Sequence, residues 1–238
     1  MNIVIPMAGA GSRFAKVGYT FPKPLISVHG DPMISVVVKN LNLQGQHIFC
    51  VQKTHCEKYE LETLLNHLSP GCKIIKLDGL SQGAAETVLL AKQFIDNEEP
   101  LVIVNADQYV KCDLQQAINE FEKHDGGMLT FKSTHPKNSF AKIENGFVTE
   151  VAEKKPISEH ATVGLYHWKT GKDYVQYAEQ MIEKNVRTNN EFYVCPVYNE
   201  AIKDGKKFVA SAVDKMYPIG TPEDLDYFLN KVSPDELL

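Results

Sequence analysis

No apolar run in the sequence approaches the ~18 residues a membrane-spanning helix requires, so no membrane partner is expected. Cysteine is sparse. Its five copies, Cys50, Cys56, Cys72, Cys112 and Cys195, are scattered, odd in number and without a CxxC pair. That pattern fits neither a zinc ribbon nor a disulfide framework. "CVQKTHC" sets His55 between Cys50 and Cys56, but no second ligand cluster accompanies it, and the thiols read as reduced and mostly buried. Basic excess is also missing: 25 Lys and Arg against 30 Asp and Glu give a formal net charge of -5. A bulk polyanion such as nucleic acid is therefore not the expected partner. The start "MNIVIPMAGAG" has neither the basic flank nor the longer apolar core of a signal peptide, so a cytoplasmic location is expected. There are no repeats, low-complexity tracts or linker-like stretches, and no evident Ser/His/Asp or Cys/His constellation.

What is present is ordinary globular composition, 43% hydrophobic and 23% charged over 238 residues, enough for a substantial core. Short β-rich runs alternate with helical patterns through the first half, which predicts an α/β fold with a largely parallel sheet. "NIVIP", "HIFCVQ", "KIIKL" and "LVIVNAD" read as strands. "PMISVVVKNL" reads as a helix opened by Asp31 and Pro32. "THCEKYELETLLNHL" reads as one amphipathic helix, and "GAAETVLLAKQFI" as another. Beyond "DLQQAINEFEKH", for which Asp113 is the expected cap, strand candidates crowd together: "GGMLTFKS", "FAKIE", "GFVTEVAEK" and "ATVGLYHW". The expectation is one domain over 1–238 with two lobes, 1–112 and a β-rich 113–238. Its sheet would be Rossmann-like, mixed but mostly parallel, and flanked by helices.

In doubly wound sheets, ligands bind beyond the carboxyl ends of the strands. "AGAGSR", "SQGAAE" and "NADQ" fall at such ends. Gly9 and Gly11 allow backbone N–H groups to approach an anion closely. Arg13 follows with a fork of donors, and Lys23 is held between Pro22 and Pro24. The loop is not a Walker loop, because it lacks the Gly-Lys-Ser/Thr ending. It also departs from the dinucleotide fingerprint, since Phe14 takes the third glycine's place. Asp107 ends an apolar strand, where a buried carboxylate needs a partner such as Mg²⁺ or a backbone donor.

Taken in order, "IPMAGAGSRF", "FPKPLISVHGDPMI", "GAAETVL", "VNAD", "EKKP", "TVGLYHW" and "IGTPEDL" resemble the sugar-phosphate nucleotidyltransferases across nearly the whole chain. The joint GxGxR…KPL pattern carries the resemblance. It implies an enzyme that joins a nucleoside triphosphate to a phosphorylated small molecule, most often a sugar 1-phosphate, and releases pyrophosphate. Such an activity serves nucleotide-sugar and polysaccharide biosynthesis. Residue by residue, it implies that Ala8 and Gly9 approach the base while Gly11, Ser12 and Arg13 cradle the triphosphate. Lys23 would contact the α-phosphate, Gln82 and Gly83 would help read the base, and Asp107 would bind Mg²⁺. Lys155 would hold the acceptor phosphate, with Lys154 as the alternative register, and Glu191 would accept from acceptor hydroxyls.

Two departures stand out. Many relatives place a second metal-binding aspartate where this chain has Pro218, leaving Asp214 or Asp226 to compensate. "TVGLYHW" does not identify a particular sugar, so a cytidylyltransferase for a non-sugar phosphate stays open. From another class, a nucleotide-sensing module stays open too, although Arg13, Lys23 and Asp107 together suit transition-state stabilisation better than binding alone. CTP or UTP is the favoured donor. Homo-oligomerisation is left open.

Overall fold

The computed structural model describes residues 1–237. β1 (Asn2–Pro6) leads through the glycine loop to the short helix α1 (Ser12–Lys16), and a small ladder of β2 (Ser27–Val28) and β3 (Asp31–Pro32) precedes α2 (Met33–Leu41). Next come β4 (Gln46–Gln52), α3 (Lys53–Tyr59), α4 (Leu61–Leu68), β5 (Lys73–Leu77), α5 (Ala84–Leu89) and α6 (Lys92–Ile95). β6 (Leu101–Val104) and β7 (Gln108–Lys111) close the first half, and α7 (Leu114–Phe121) opens the second. β8 (Gly126–Lys132), β9 (Ser139–Glu144), β10 (Phe147–Glu153) and β11 (His160–Trp168) come next, then α8 (Gly171–Glu183) and α9 (Val197–Lys203). β12 (Phe208–Ala212), β13 (Lys215–Pro218) and α10 (Pro222–Lys231) follow.

One mixed sheet of nine strands runs through both halves in the order β5-β4-β1-β6-β11-β8-β12-β10-β9. β5, β4, β1 and β6 are mutually parallel. β11 enters antiparallel between β6 and β8. Edge strand β5 exposes Lys73 and Lys76, but alternation explains why the inner strands β1 and β6 are apolar on both faces: Ile3 and Ile5 join the core on one face, while Val4 joins the core on the other. The same split separates Val102 and Val104 from Leu101 and Ile103. Helices cover both faces, so neither side of these strands meets water.

The helices differ from expectation in instructive ways. "THCEKYELETLLNHL" forms two helices, interrupted where Glu60 turns left-handed at φ 53. α4 buries Leu61 and Leu65, whereas α3 buries no side chain fully. Tyr59 at its end donates to the Thr20 carbonyl at 3.3 Å. "GAAETVLLAKQFI" likewise divides into α5 and α6. Asp31 does not cap α2; its carboxylate takes Lys39 at 2.6 Å, and no side chain caps that helix. Asp113 caps α7 as its position suggests, accepting from the Gln116 N–H at 2.9 Å. Among the described residues, no helix is long and apolar enough to cross a membrane.

Candidate active site

The parallel strands all end on one edge, and the polar loops gather there. The Met7 N–H donates to the Cys50 carbonyl at 2.9 Å, extending β1 against β4 before the chain turns away. Gln52, buried at the end of β4, donates through Nε2 to the carbonyls of Ala8 (2.5 Å) and Gly79 (2.7 Å). It thereby ties the glycine loop to the loop after β5. Gly9 is exposed, and a methyl group there would meet nothing within 4 Å. Gly11 sits at φ 60, and a Cβ on it would lie 3.3 Å from that of Lys23. A side chain at Gly11 would therefore meet both backbone strain and crowding. Ser12 and Arg13 are exposed on α1, while Phe14 is buried and anchors the turn.

Lys23 begins a 3-10 turn of three residues, with Pro22 extended before it and Pro24 buried after it. Its ammonium makes an ion pair with the Asp107 carboxylate, 84 positions away. Both side chains keep about a quarter to a third of their surface exposed, 26% and 30%, so the pair faces the site rather than the core. The Asp107 carbonyl accepts from the Ile219 N–H at 2.9 Å, and the Asn105 N–H donates to Gly164 at 2.9 Å. β13 therefore fixes the loop carrying Asp107 from one side and β11 from the other. Gly220 completes the arrangement: a Cβ there would overlap the Asp107 carboxylate and lie 3.3 Å from the Lys23 ammonium.

A cavity of about 330 Å³ opens beside this pair, lined among others by Arg13, Asp107, Lys137, Glu153, Lys154, Tyr193 and Asp224. Lys154 faces it; Lys155 is exposed and not part of its lining. Lys154 adopts φ 55, a left-handed conformation that costs about 1–2 kcal/mol for a residue with a Cβ. Strand alternation would send Glu153 and Lys154 to opposite faces; the left-handed turn brings both to one cavity. Lys154 donates to the Tyr193 hydroxyl at 2.5 Å and lies 4.6 Å from the centre of that ring. Glu153 accepts from the Ser139 hydroxyl, and burial pushes its carboxyl above the ordinary carboxylate range.

Glu191 is exposed, bridged to Thr188 and outside the cavity lining, although its charge reaches Glu153. Gln82 is exposed and accepts from Arg187 at 2.6 Å, and Arg187 in turn stacks 3.8 Å over the Phe192 ring. Gly83 lies at φ 140 against the Phe192 backbone, with no room for a side chain. Pro218 does line the cavity, whereas the proposed substitutes Asp214 and Asp226 are exposed and stand outside it. The carboxylate present instead is Asp224, paired with Lys137 at 2.9 Å.

Among the described residues, no group of three or more His, Cys, Asp or Glu converges as an all-protein metal cage. One exposed-edge carboxylate with cleared space beside it fits Mg²⁺ held by Asp107 together with substrate phosphates and water. The residues that sequence reasoning missed are Gln52, Glu153, Tyr193, Lys137 and Asp224. Glu153 stood in plain sight in "EKKP" and Asp224 in "IGTPEDL"; the others carry no local signal.

The chain is 24% identical over 245 residues to the bifunctional protein GlmU of Methanocaldococcus jannaschii, covering 99% of this chain and 56% of that protein. The chain spans about half the length of the curated GlmU relatives it matches. A shorter stretch of 44 residues is 50% identical to a 2-aminoethylphosphonate cytidylyltransferase of Lancefieldella rimae, 18% of each chain. The crystal structure of a nucleoside-diphosphate-sugar pyrophosphorylase from Vibrio cholerae RC9 superposes with a TM-score of 0.80 at 29% identity, covering 96% of this chain and 100% of that one. Residues 3–231 match the Nucleotidyl transferase family model, so the chain belongs to that family.

Proposed function

We propose that the chain transfers a nucleoside monophosphate from CTP or UTP to the phosphate of a small acceptor, releasing pyrophosphate. One observation carries the reading: Lys23 and Asp107, 84 residues apart, meet at the rim of the glycine loop, where two phosphate-bearing molecules would have to meet. The acceptor phosphate oxygen forms a bond to the α-phosphorus as the bond to the β-phosphate oxygen breaks. That phosphate is already ionised at neutral pH, so no general base is needed. Gly11 and Ser12 line the path of the triphosphate, Arg13 holds the departing phosphates, and Lys23 stabilises charge developing at the α-phosphate. Ala8, Gly9, Gln82 and Gly83 border the base. Lys154, in the place first considered for Lys155, takes the acceptor phosphate, and Glu191 stands at the outer rim. Mg²⁺ on Asp107 would neutralise phosphate charge.

A sugar 1-phosphate is the acceptor class that the family relatives suggest. A second reading, cytidylyl transfer to a non-sugar phosphate or phosphonate, is supported by the short match to the Lancefieldella enzyme. The test is pyrophosphate release with Mg²⁺, over a matrix of nucleoside triphosphates and phosphorylated acceptors. Release that requires both partners is expected. Hydrolysis without an acceptor would indicate a hydrolase, and tight nucleotide binding with no turnover would indicate a sensor.

A further inference from the structure

The 330 Å³ cavity is lined by three cations, Arg13, Lys137 and Lys154, and three carboxylates, Asp107, Glu153 and Asp224. Asp107 is matched by Lys23 and Asp224 by Lys137. Among the described residues, Arg13, Lys154 and Glu153 make no ion pair within 4.0 Å. Under the transfer reading, Arg13 is taken by the departing phosphates and Lys154 by the acceptor phosphate. Glu153 is then left as a half-buried carboxylate whose hydrogen-bond partner is the neutral hydroxyl of Ser139. Lys154 is the cation whose charge acts on it, and an arriving phosphate would take that lysine.

We infer that the acceptor is a zwitterion, a small molecule carrying an ammonium group a few bonds from its phosphate or phosphonate, and that Glu153 is the residue that selects it. The inference rests on the nucleotidyl-transfer reading and narrows its acceptor. Lys154 and Glu153 are adjacent in sequence and face one cavity only because Lys154 is left-handed, so an anion and a cation are offered their partners side by side. Tyr193, whose ring already carries the Lys154 ammonium at 4.6 Å, adds an aromatic wall that suits a cationic neighbour.

A polyol finds less here. Gln108 donates to the Gly164 carbonyl at 3.2 Å, Thr162 is bonded to the Tyr166 hydroxyl at 3.0 Å, and Asn138 donates to Ser133 at 3.1 Å. These cavity side chains are already engaged within the protein, so few remain to read a ring of sugar hydroxyls. Burial raises the Glu153 carboxyl, and a carboxylate in that condition gains most from an incoming cation.

The test compares acceptors that differ by the ammonium alone. With CTP or UTP and Mg²⁺, kcat/KM from pyrophosphate release is measured for 2-aminoethyl phosphate, 2-aminoethylphosphonate, ethyl phosphate, glucose 1-phosphate and glucosamine 1-phosphate. The ammonium-bearing acceptors are expected to exceed their uncharged counterparts by about 30–100-fold, the lower range for removing one partner of a buried charged contact. The two aminoethyl compounds and glucosamine 1-phosphate distinguish an open-chain from a sugar source of the same ammonium. Glu153→Gln keeps an oxygen for the Ser139 hydroxyl and should bring the 2-aminoethyl to ethyl phosphate ratio close to one. The wild-type comparison decides the matter even if that variant folds poorly. A ratio near one in the wild type, a ratio unmoved in folded Glu153→Gln, or preference for glucose 1-phosphate over all amines overturns the inference while leaving nucleotidyl transfer intact. No pyrophosphate with any acceptor overturns both.

Discussion

Gly220→Ala tests the geometry of the site without touching a charged group. Its φ lies outside the left-handed region that favours glycine, so the backbone accepts alanine without strain. The added methyl carbon, however, would sit inside 3.0 Å of the Asp107 carboxylate and 3.3 Å from the Lys23 ammonium. Real Cβ atoms keep 3.4 Å or more from most neighbours, so the carboxylate must retreat by about 1 Å and its ion pair must reshape. A displacement of ~1 Å in a positioned reacting group lowers rates by about 10²-fold, which corresponds to about 2.7 kcal/mol of barrier. Steady-state pyrophosphate release should show that loss in kcat, with a smaller change in KM for the nucleotide. A Mg²⁺ titration should shift to higher concentration, and the thermal midpoint should stay near that of the wild type. Folded Gly220→Ala with kcat within about twofold of wild type would refute the assignment of the Lys23–Asp107 pair to the reacting centre, since that magnitude follows from the displacement argument.

Lys23→Ala should lower kcat by about 10²–10³-fold, as loss of a transition-state donor does, with little thermal change because the side chain is partly solvated; near-normal turnover would make it a surface lysine. Asp107→Asn should remove most Mg²⁺-dependent turnover, and excess metal should recover only part; identical titrations with equal maximal rates would take Asp107 out of the metal site. Gln52→Leu leaves the Ala8 and Gly79 carbonyls without their donor, and should cost about 1–3 kcal/mol in urea unfolding while raising KM for the nucleotide. His167 is fully buried with neither ring nitrogen hydrogen-bonded, and burial lowers it from 6.5 to about 4. Below pH 6.5 the unfolded chain takes up a proton that the folded chain refuses, so stability present above that pH is lost as pH falls towards 4, by about 3 kcal/mol. Urea unfolding across this window should show the decline, and His167→Phe should flatten it.

Much of the architecture was legible because local chemistry repeats along the chain. The inner parallel strands β1 and β6 are apolar on both faces, which only a sheet covered by helices on both sides can satisfy, and Asp113 announces α7 by the capping chemistry it performs. The breaks at Glu60 and after Leu89 were not legible, since no proline or glycine marks them and they answer to what each half of the helix packs against. β7 and β13 are short, and β13 ends at a proline; they exist because each supplies the other's hydrogen bonds.

For the site, the sequence by itself determined the set of charges near the first strand and at the end of β6. Arg13, Lys23 and Asp107 each follow a local pattern, glycine loop, flanking prolines or strand end, that depends on near neighbours alone. Which of them meet was decided only in three dimensions, because an ion pair across 84 residues and the space that Gly220 leaves beside it are products of sheet order. That Lys154 rather than Lys155 lines the cavity turns on one backbone angle, and that Asp224 rather than Asp226 does so turns on which face of α10 looks inward. Such facts have no local signal: neighbouring residues differ by a rotation of the chain, and tertiary packing sets that rotation.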